Sequence, residues 1–136
     1  MIHVDTSFLI RGLVRGSVED TWLRRWLGAG DALGMSAIAW TEFLCGPVGA
    51  NDIAIATRLV TERPAFTDDD TALAAELFNT SGRRRGSLAD CMIAATALRA
   101  EAPLATSNRE DFTRLVAHGL VLLPTAPARR RARPAK

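Results

Sequence analysis

The sequence is poor in the side chains that soft-metal and redox sites use: its 136 residues include only two cysteines and two histidines. Cys45 and Cys91 stand far apart with no CxxC spacing, so neither a redox pair nor a zinc clamp is indicated. Both read as small apolar residues in a reducing compartment. A zinc site on His3 and His118 needs carboxylates for most of its ligands, so any metal here belongs on oxygen. No stretch approaches the roughly 18 to 20 uninterrupted apolar residues of a membrane-spanning helix. The start has no basic segment, and Asp5 interrupts its first apolar run, which argues against a cleaved secretory signal. A cytoplasmic protein with no membrane association is expected. Lysine is almost missing too, with Lys136 the only one.

What is present fits one globular domain, with 48% hydrophobic and 24% charged residues. The net charge of +2 is unevenly placed. Residues 125–136 hold Arg129, Arg130, Arg131, Arg133 and Lys136 without an acid, which leaves −3 on the first 124 residues. A domain over 1–124 and a basic, disordered tail over 125–136 are expected.

Short apolar segments alternate with helical patterns. Met1 to Val4 reads as a strand, and Asp5-Thr6-Ser7 supplies capping side chains before the apolar run Phe8 to Val14. Ser17 caps a helix over Val18 to Leu27, ended by Gly28 and Gly30, with Trp22 and Trp26 on one face. Ala32 to Met35 is the second strand. Ser36 caps a helix to about Cys45, and another spans Asp52 to Glu62. Ala65 to Thr67 is the third candidate strand, and Asp68-Asp69-Asp70 precedes a helix over Thr71 to Phe78, where the helix dipole favours acids. After an arginine-rich loop, Ser87 caps a helix from Leu88 to about Ala100 whose apolar stripe is Leu88, Met92, Ala95 and Leu98. Leu104 to Ser107 and Val121 to Leu123 read as strands around a helix near Glu110 to Ala117. The pattern predicts an α/β fold with a mostly parallel sheet of about five strands flanked by helices. In such sheets functional residues gather at the carboxyl ends of the strands.

Four acids fall where that rule points. Asp5 ends the first strand between apolar neighbours Val4 and Phe8, where an ionised carboxylate is costly without donors or cations. Glu42 is the lone acid in Ala37 to Leu44, Asp90 lies in the first turn of an otherwise apolar helix, and Asp111 lies just beyond the fourth strand. Each alone reads as a cap neighbour or a surface charge. Together they suit a hard divalent cation, Mg²⁺ or Mn²⁺, which keeps some waters and accepts phosphate oxygens. The chemistry this implies is phosphodiester hydrolysis.

The ordered series Val4-Asp5-Thr6-Ser7, Thr41-Glu42-Phe43, Leu88-Ala89-Asp90-Cys91-Met92-Ile93-Ala94-Ala95 and Thr106-Ser107-Asn108-Arg109-Glu110-Asp111-Phe112 resembles the PIN-domain nucleases, and more closely the VapC-type toxins of type II (VapBC) toxin–antitoxin pairs. The resemblance implies a PIN-like three-layer fold and a Mg²⁺- or Mn²⁺-dependent endoribonuclease that blocks translation by cutting a structured RNA. It also implies a homodimer held by a cognate VapB-type antitoxin. By it, Asp5, Glu42 and Asp90 match the three core acidic positions and bind the metal, while Thr6 or Ser7 orients Asp5 or a water. The fourth acidic position falls on Asp111 or on Asn108, whose amide oxygen is a weaker, neutral ligand.

Arg83, Arg84 and Arg85 just precede the Asp90 helix and read either as an RNA-binding rim beside an acidic pocket or as a solvated loop. Trp22, Trp26 and Trp40 read as packing rather than as base-stacking platforms. The helices over Ala37 to Cys45 and Asp52 to Glu62 are the candidates for dimer and antitoxin contacts. Two rivals built on a strand-end aspartate, a haloacid-dehalogenase-type phosphotransfer domain and a response-regulator receiver, both want a lysine inside the domain, and there is none. The remaining alternative is a non-catalytic PIN-like module that binds RNA or protein without cutting.

Overall fold

A computed structural model describes residues 1–124. The expected tail over 125–136 lies outside the described residues.

Five strands form one sheet in the order β3-β2-β1-β4-β5, and every pairing is parallel. The strands are β1 (Ile2–Val4), β2 (Leu33–Gly34), β3 (Val60–Glu62), β4 (Leu104–Ala105) and β5 (Leu122–Leu123). Seven helices connect them: α1 (Thr6–Gly12) and α2 (Val18–Gly28), then α3 (Ala37–Cys45) and α4 (Ala50–Leu59), then α5 (Asp68–Thr80), α6 (Leu88–Arg99) and the short α7 (Arg109–Phe112). Strands this short are viable because they are buried: Val4, Leu33, Leu104 and Ala105 have no solvent exposure, as all-parallel sheets require. None of the described helices is long and apolar enough to cross a membrane.

The order decides where a site can form. The chain winds outward from β1 through β2 to β3, then returns to place β4 on the other side of β1. The connections that leave the carboxyl ends of β1 and β4 therefore diverge, and a crevice opens between them. Asp5 follows β1 directly, and Thr106 follows β4.

Local chemistry explains most boundaries. The Asp5 carboxylate accepts the Phe8 amide, the Ser17 hydroxyl that of Asp20, and the Ser36 hydroxyl that of Ala39, so three expected caps form. Trp26 stacks on Phe8 with ring centroids 5.5 Å apart and lies 5.7 Å from Trp22, so this pair packs. Trp40, half-buried, lies 5.2 Å from Phe43 under the Arg63 guanidinium.

Several expectations are corrected. The third strand is Val60–Glu62 rather than Ala65 to Thr67, and α4 stops at Leu59. The β-branched pair Val60-Thr61 favours extended backbone over another helical turn. Thr67 instead caps α5, which begins at Asp68 and takes all three aspartates into its first turn. Ser87 does not cap α6, because its hydroxyl donates to the Arg84 carbonyl. The apolar stripe on α6 differs as well. Leu88 is exposed, Met92 and Leu98 are half-buried, and Cys91, Ala94, Ala95 and Ala97 are buried. α6 packs against both α5 and α3, where small side chains allow close approach. The helix expected near Glu110 to Ala117 divides into α7 and a 3₁₀ segment, Thr113–His118.

Two buried charged or titratable groups lie away from the strand ends. Asp70 on α5 is fully buried and accepts from the Arg99 guanidinium through both carboxylate oxygens. Burial pushes this carboxyl up, but the Arg99 and Thr67 hydrogen bonds outweigh it and hold Asp70 below its ordinary range. His3 is buried in β1, and its Nε2 lacks a hydrogen-bond partner among the described residues. Burial, the N-terminal amine and Arg99 all lower its pKa, so the ring is neutral.

Candidate active site

The sequence-predicted residues meet at the carboxyl edge of the sheet. Asp5, Glu42, Asp90 and Asp111 line one cleft of about 80 Å³, together with Thr6, Ser7 and Asn108. Four different elements deliver the acids: the β1 end, α3, the first turn of α6, and α7. Residues 106 positions apart in sequence thus share one small space.

Asp5 is the most buried of the four cleft acids, 4% exposed. Its Oδ1 accepts the Ser7 hydroxyl at 2.8 Å and the Phe8 amide at 2.9 Å, and its Oδ2 accepts the Thr106 hydroxyl at 2.6 Å. Burial pushes the Asp5 carboxyl up, the three hydrogen bonds pull it down, and the Asp111 charge adds to the rise, leaving it above its ordinary value. Thr6 does different work: its hydroxyl lies 3.0 Å from the Ala39 carbonyl and 3.3 Å from Glu42, tying the start of α1 to α3. Of the two expected hydroxyls, Ser7 is the one on Asp5. Glu42 itself is exposed at the mouth of the cleft.

Asp90 is half-buried, and burial together with the charges of Asp111, Glu42 and Asp5 pushes its carboxyl up to about 7. Like charges crowding one cleft cost free energy that a cation relieves. Asp111 and Asn108, both candidates for the fourth position, line the same cleft. Asp111 is the one that carries charge, and it acts on both Asp5 and Asp90.

The donor set is all oxygen, which fits a hard divalent ion. Among the described residues, however, no three acids, histidines or cysteines stand close enough to one another to hold an ion as a closed cage. A hard divalent ion can bind through one or two carboxylates and fill its remaining positions with water and phosphate oxygens.

Three supporting residues were not singled out in the sequence. Thr106 holds Asp5 and also accepts the Asn108 amide at 3.0 Å. The Ser107 amide donates to the Ser7 hydroxyl oxygen at 3.2 Å, and the Ser107 hydroxyl donates to Glu19 at 3.0 Å. Glu19, on the first turn of α2, also lies 3.9 Å from Arg11. Hydroxyl residues right after a strand end were the available signal for Thr106 and Ser107. Nothing local marked Glu19.

The arginines do not act as one group. Arg84 and Arg85 line a second depression, about 170 Å³, whose wall includes Asp90 and Asp111. Arg83 lies over the Phe78 ring, 5.9 Å from its centroid.

The fold occurs in toxin–antitoxin assemblies. The chain is similar to VapBC2 from Rickettsia felis, solved bound to a DNA fragment from its promoter, with TM-score 0.72 and 20% identity over 90% of this chain and 97% of that one. It is similar to FitAcB from Neisseria gonorrhoeae, with TM-score 0.63 and 21% identity over 90% and 96%. A toxin–antitoxin complex from Klebsiella pneumoniae gives TM-score 0.65 and 24% identity over 82% and 90%. No curated protein sequence matches significantly. The family model of the PIN domain matches residues 2–117, a span that holds all four cleft acids, and the chain therefore belongs to the PIN domain family.

Proposed function

We propose that this PIN domain is the toxin of a toxin–antitoxin pair, a Mg²⁺- or Mn²⁺-dependent endoribonuclease that hydrolyses phosphodiester bonds in a structured RNA. The observation that carries the reading is the meeting of Asp5, Glu42, Asp90 and Asp111 in one cleft. The likeness to VapBC2, to FitAcB and to the toxin–antitoxin complex from Klebsiella pneumoniae supports the toxin assignment. A non-catalytic module has no need of four mutually repelling acids, so the catalytic reading is preferred.

One or two of Asp5, Asp90 and Asp111 would hold the ion directly and the others through water, with Glu42 at the mouth and the Asn108 amide oxygen as a neutral donor. When bound, such an ion activates water and stabilises the leaving oxygen. Ser7 and Thr106 fix Asp5 in direction by donating to both its oxygens, and they favour its ionised form against the burial that raises its carboxyl. Thr6 orients Glu42. Asp90, its carboxyl pushed up to about 7 by burial and the neighbouring acids, would lose its proton on meeting a cation.

The proposal includes a homodimer and a VapB-type antitoxin. The helices α3 and α4 are the proposed contact surfaces, and each carries an exposed apolar side chain, Leu44 and Ile55.

The test compares protein freed of any partner with its Asp5→Asn variant on total cellular RNA, with Mg²⁺ or with chelator. Discrete cleavage only with intact Asp5 and Mg²⁺ is expected. Equal cleavage by the variant sinks the assignment.

A further inference from the structure

We infer that Arg84 and Arg85 form a separate subsite for the phosphate flanking the scissile one, and that Arg83 takes no part in it. The inference rests on the nuclease reading and deepens it by naming where the neighbouring nucleotide of the strand is held.

Three observations carry it. The Arg84–Arg85 depression and the carboxylate cleft share Asp90 and Asp111 as a common wall, so a strand laid across the cleft passes from one directly into the other. Both arginines are exposed, and neither forms an ion pair with these acids. The described ion pairs are Arg11–Glu19, Arg24–Asp20 and Arg99–Asp70. Two guanidinium forks beside an excess of carboxylate thus keep their donors for another anion, and a phosphodiester matches that fork with two free oxygens.

The loop is also braced, which limits the entropy lost when the arginines are used. The Arg84 carbonyl accepts both the amide and the hydroxyl of Ser87, at 3.1 and 2.7 Å. On the other side, the Arg83 amide donates to the Phe78 carbonyl, and Arg114 donates to the Ser81 carbonyl. Between these ties Gly82 and Arg83 both have positive φ, at 96° and 52°. This left-handed turn separates Arg83, over Phe78, from the two arginines that follow. An acidic cleft repels a polyanion, and cations one step along the strand offset that repulsion without occupying the cleft.

The test uses a small diester with no flanking phosphate, bis(p-nitrophenyl) phosphate, and a fluorescent mixed-sequence oligoribonucleotide. Binding of the oligonucleotide is measured by anisotropy in the full chain carrying Asp5→Asn, so that it does not depend on turnover. The Arg84→Gln/Arg85→Gln pair should weaken oligonucleotide binding about tenfold and lower the slope of log affinity against log salt by about one per lost contact. Arg84→Lys/Arg85→Lys should retain most of the salt slope. Arg83→Gln should leave that slope as it is. With Asp5 intact, the glutamine pair should lower the ratio of oligonucleotide to small-diester turnover about tenfold.

An unchanged salt slope in the glutamine pair overturns the subsite. So does an equal loss on both substrates, because the arginines then serve the cleft or the fold. Absence of any turnover by the unmodified protein overturns the nuclease reading instead, and the binding arm still decides on the subsite.

Discussion

Asp90 has the charge state that matters most at the carboxyl edge. With its carboxyl pushed up to about 7, the folded chain holds a proton that the unfolded chain releases at its ordinary value of 3.8. The sign follows from linkage: as pH rises from 3.8 to about 7, this group makes the ion-free fold less stable, and a bound cation reverses the loss. Mn²⁺ affinity, measured by calorimetric titration, should therefore climb with pH and level off once pH passes about 7. An affinity that is flat across that interval removes Asp90 from the ion site. Glu19 acts further out, through Ser107 and Ser7, on the direction of Asp5. Glu19→Ala should lower kcat about tenfold at little change in KM, while Glu19→Gln, which keeps an acceptor for Ser107, should restore most of it. If both variants lose activity in proportion to their melting temperatures, Glu19 is structural only. The acids were legible in the sequence because Asp5 follows a strand, Asp90 and Asp111 lie at helix starts, and Glu42 is the lone acid in an apolar helix. Glu19 was not, since its hydrogen bond crosses 88 residues and leaves no local pattern, and Thr106, bonded across 101 residues, was marked only as a hydroxyl after a strand end.

Elements are joined here by a few buried contacts. α5 and α6 share the Asp70–Arg99 pair, with Asp70 fully buried and the Arg99 side chain 38% exposed. Because Asp70 is held below its ordinary range, its contribution is complete above 3.8 and is lost as pH falls through the lowered value. Arg99→Ala leaves the Asp70 carboxylate with only its Thr67 partners and should lower the urea unfolding midpoint, by less than loss of a fully enclosed pair because water reaches the arginine side. An unchanged midpoint shows that the pair is acting only as a surface pair. Element type was readable along nearly the whole chain, since strands of two or three residues between capped helices still leave a clear alternation. The third strand was misplaced because Val60 to Glu62 continues directly from α4 with no glycine or proline between them. The α6 stripe was misread because a helix packed on two sides buries its small residues, and alanines carry little hydrophobic contrast.

At the scale of the whole molecule, the switch in winding direction beside β1 is what turns scattered acids into a site. Asp5 and Thr106 meet because β1 and β4 are neighbours in a parallel sheet, with His3 paired to Leu104 and Val4 to Ala105. Strand order was beyond the sequence, since alternation reveals crossovers but not which strand lies beside which. The same polarity has a practical side. The chain enters at the amino edge through Met1, and at Pro124, whose carbonyl accepts the Arg109 guanidinium at 2.7 Å, it stands at the edge where the cleft opens. A reporter domain fused directly after Pro124 should therefore obstruct access of large RNA and slow its cleavage. The same domain joined before Met1 sits at the far side of the sheet and should leave turnover intact. Comparing the two fusions on a long RNA and on a small diester reads the handedness of the molecule as a difference in reach.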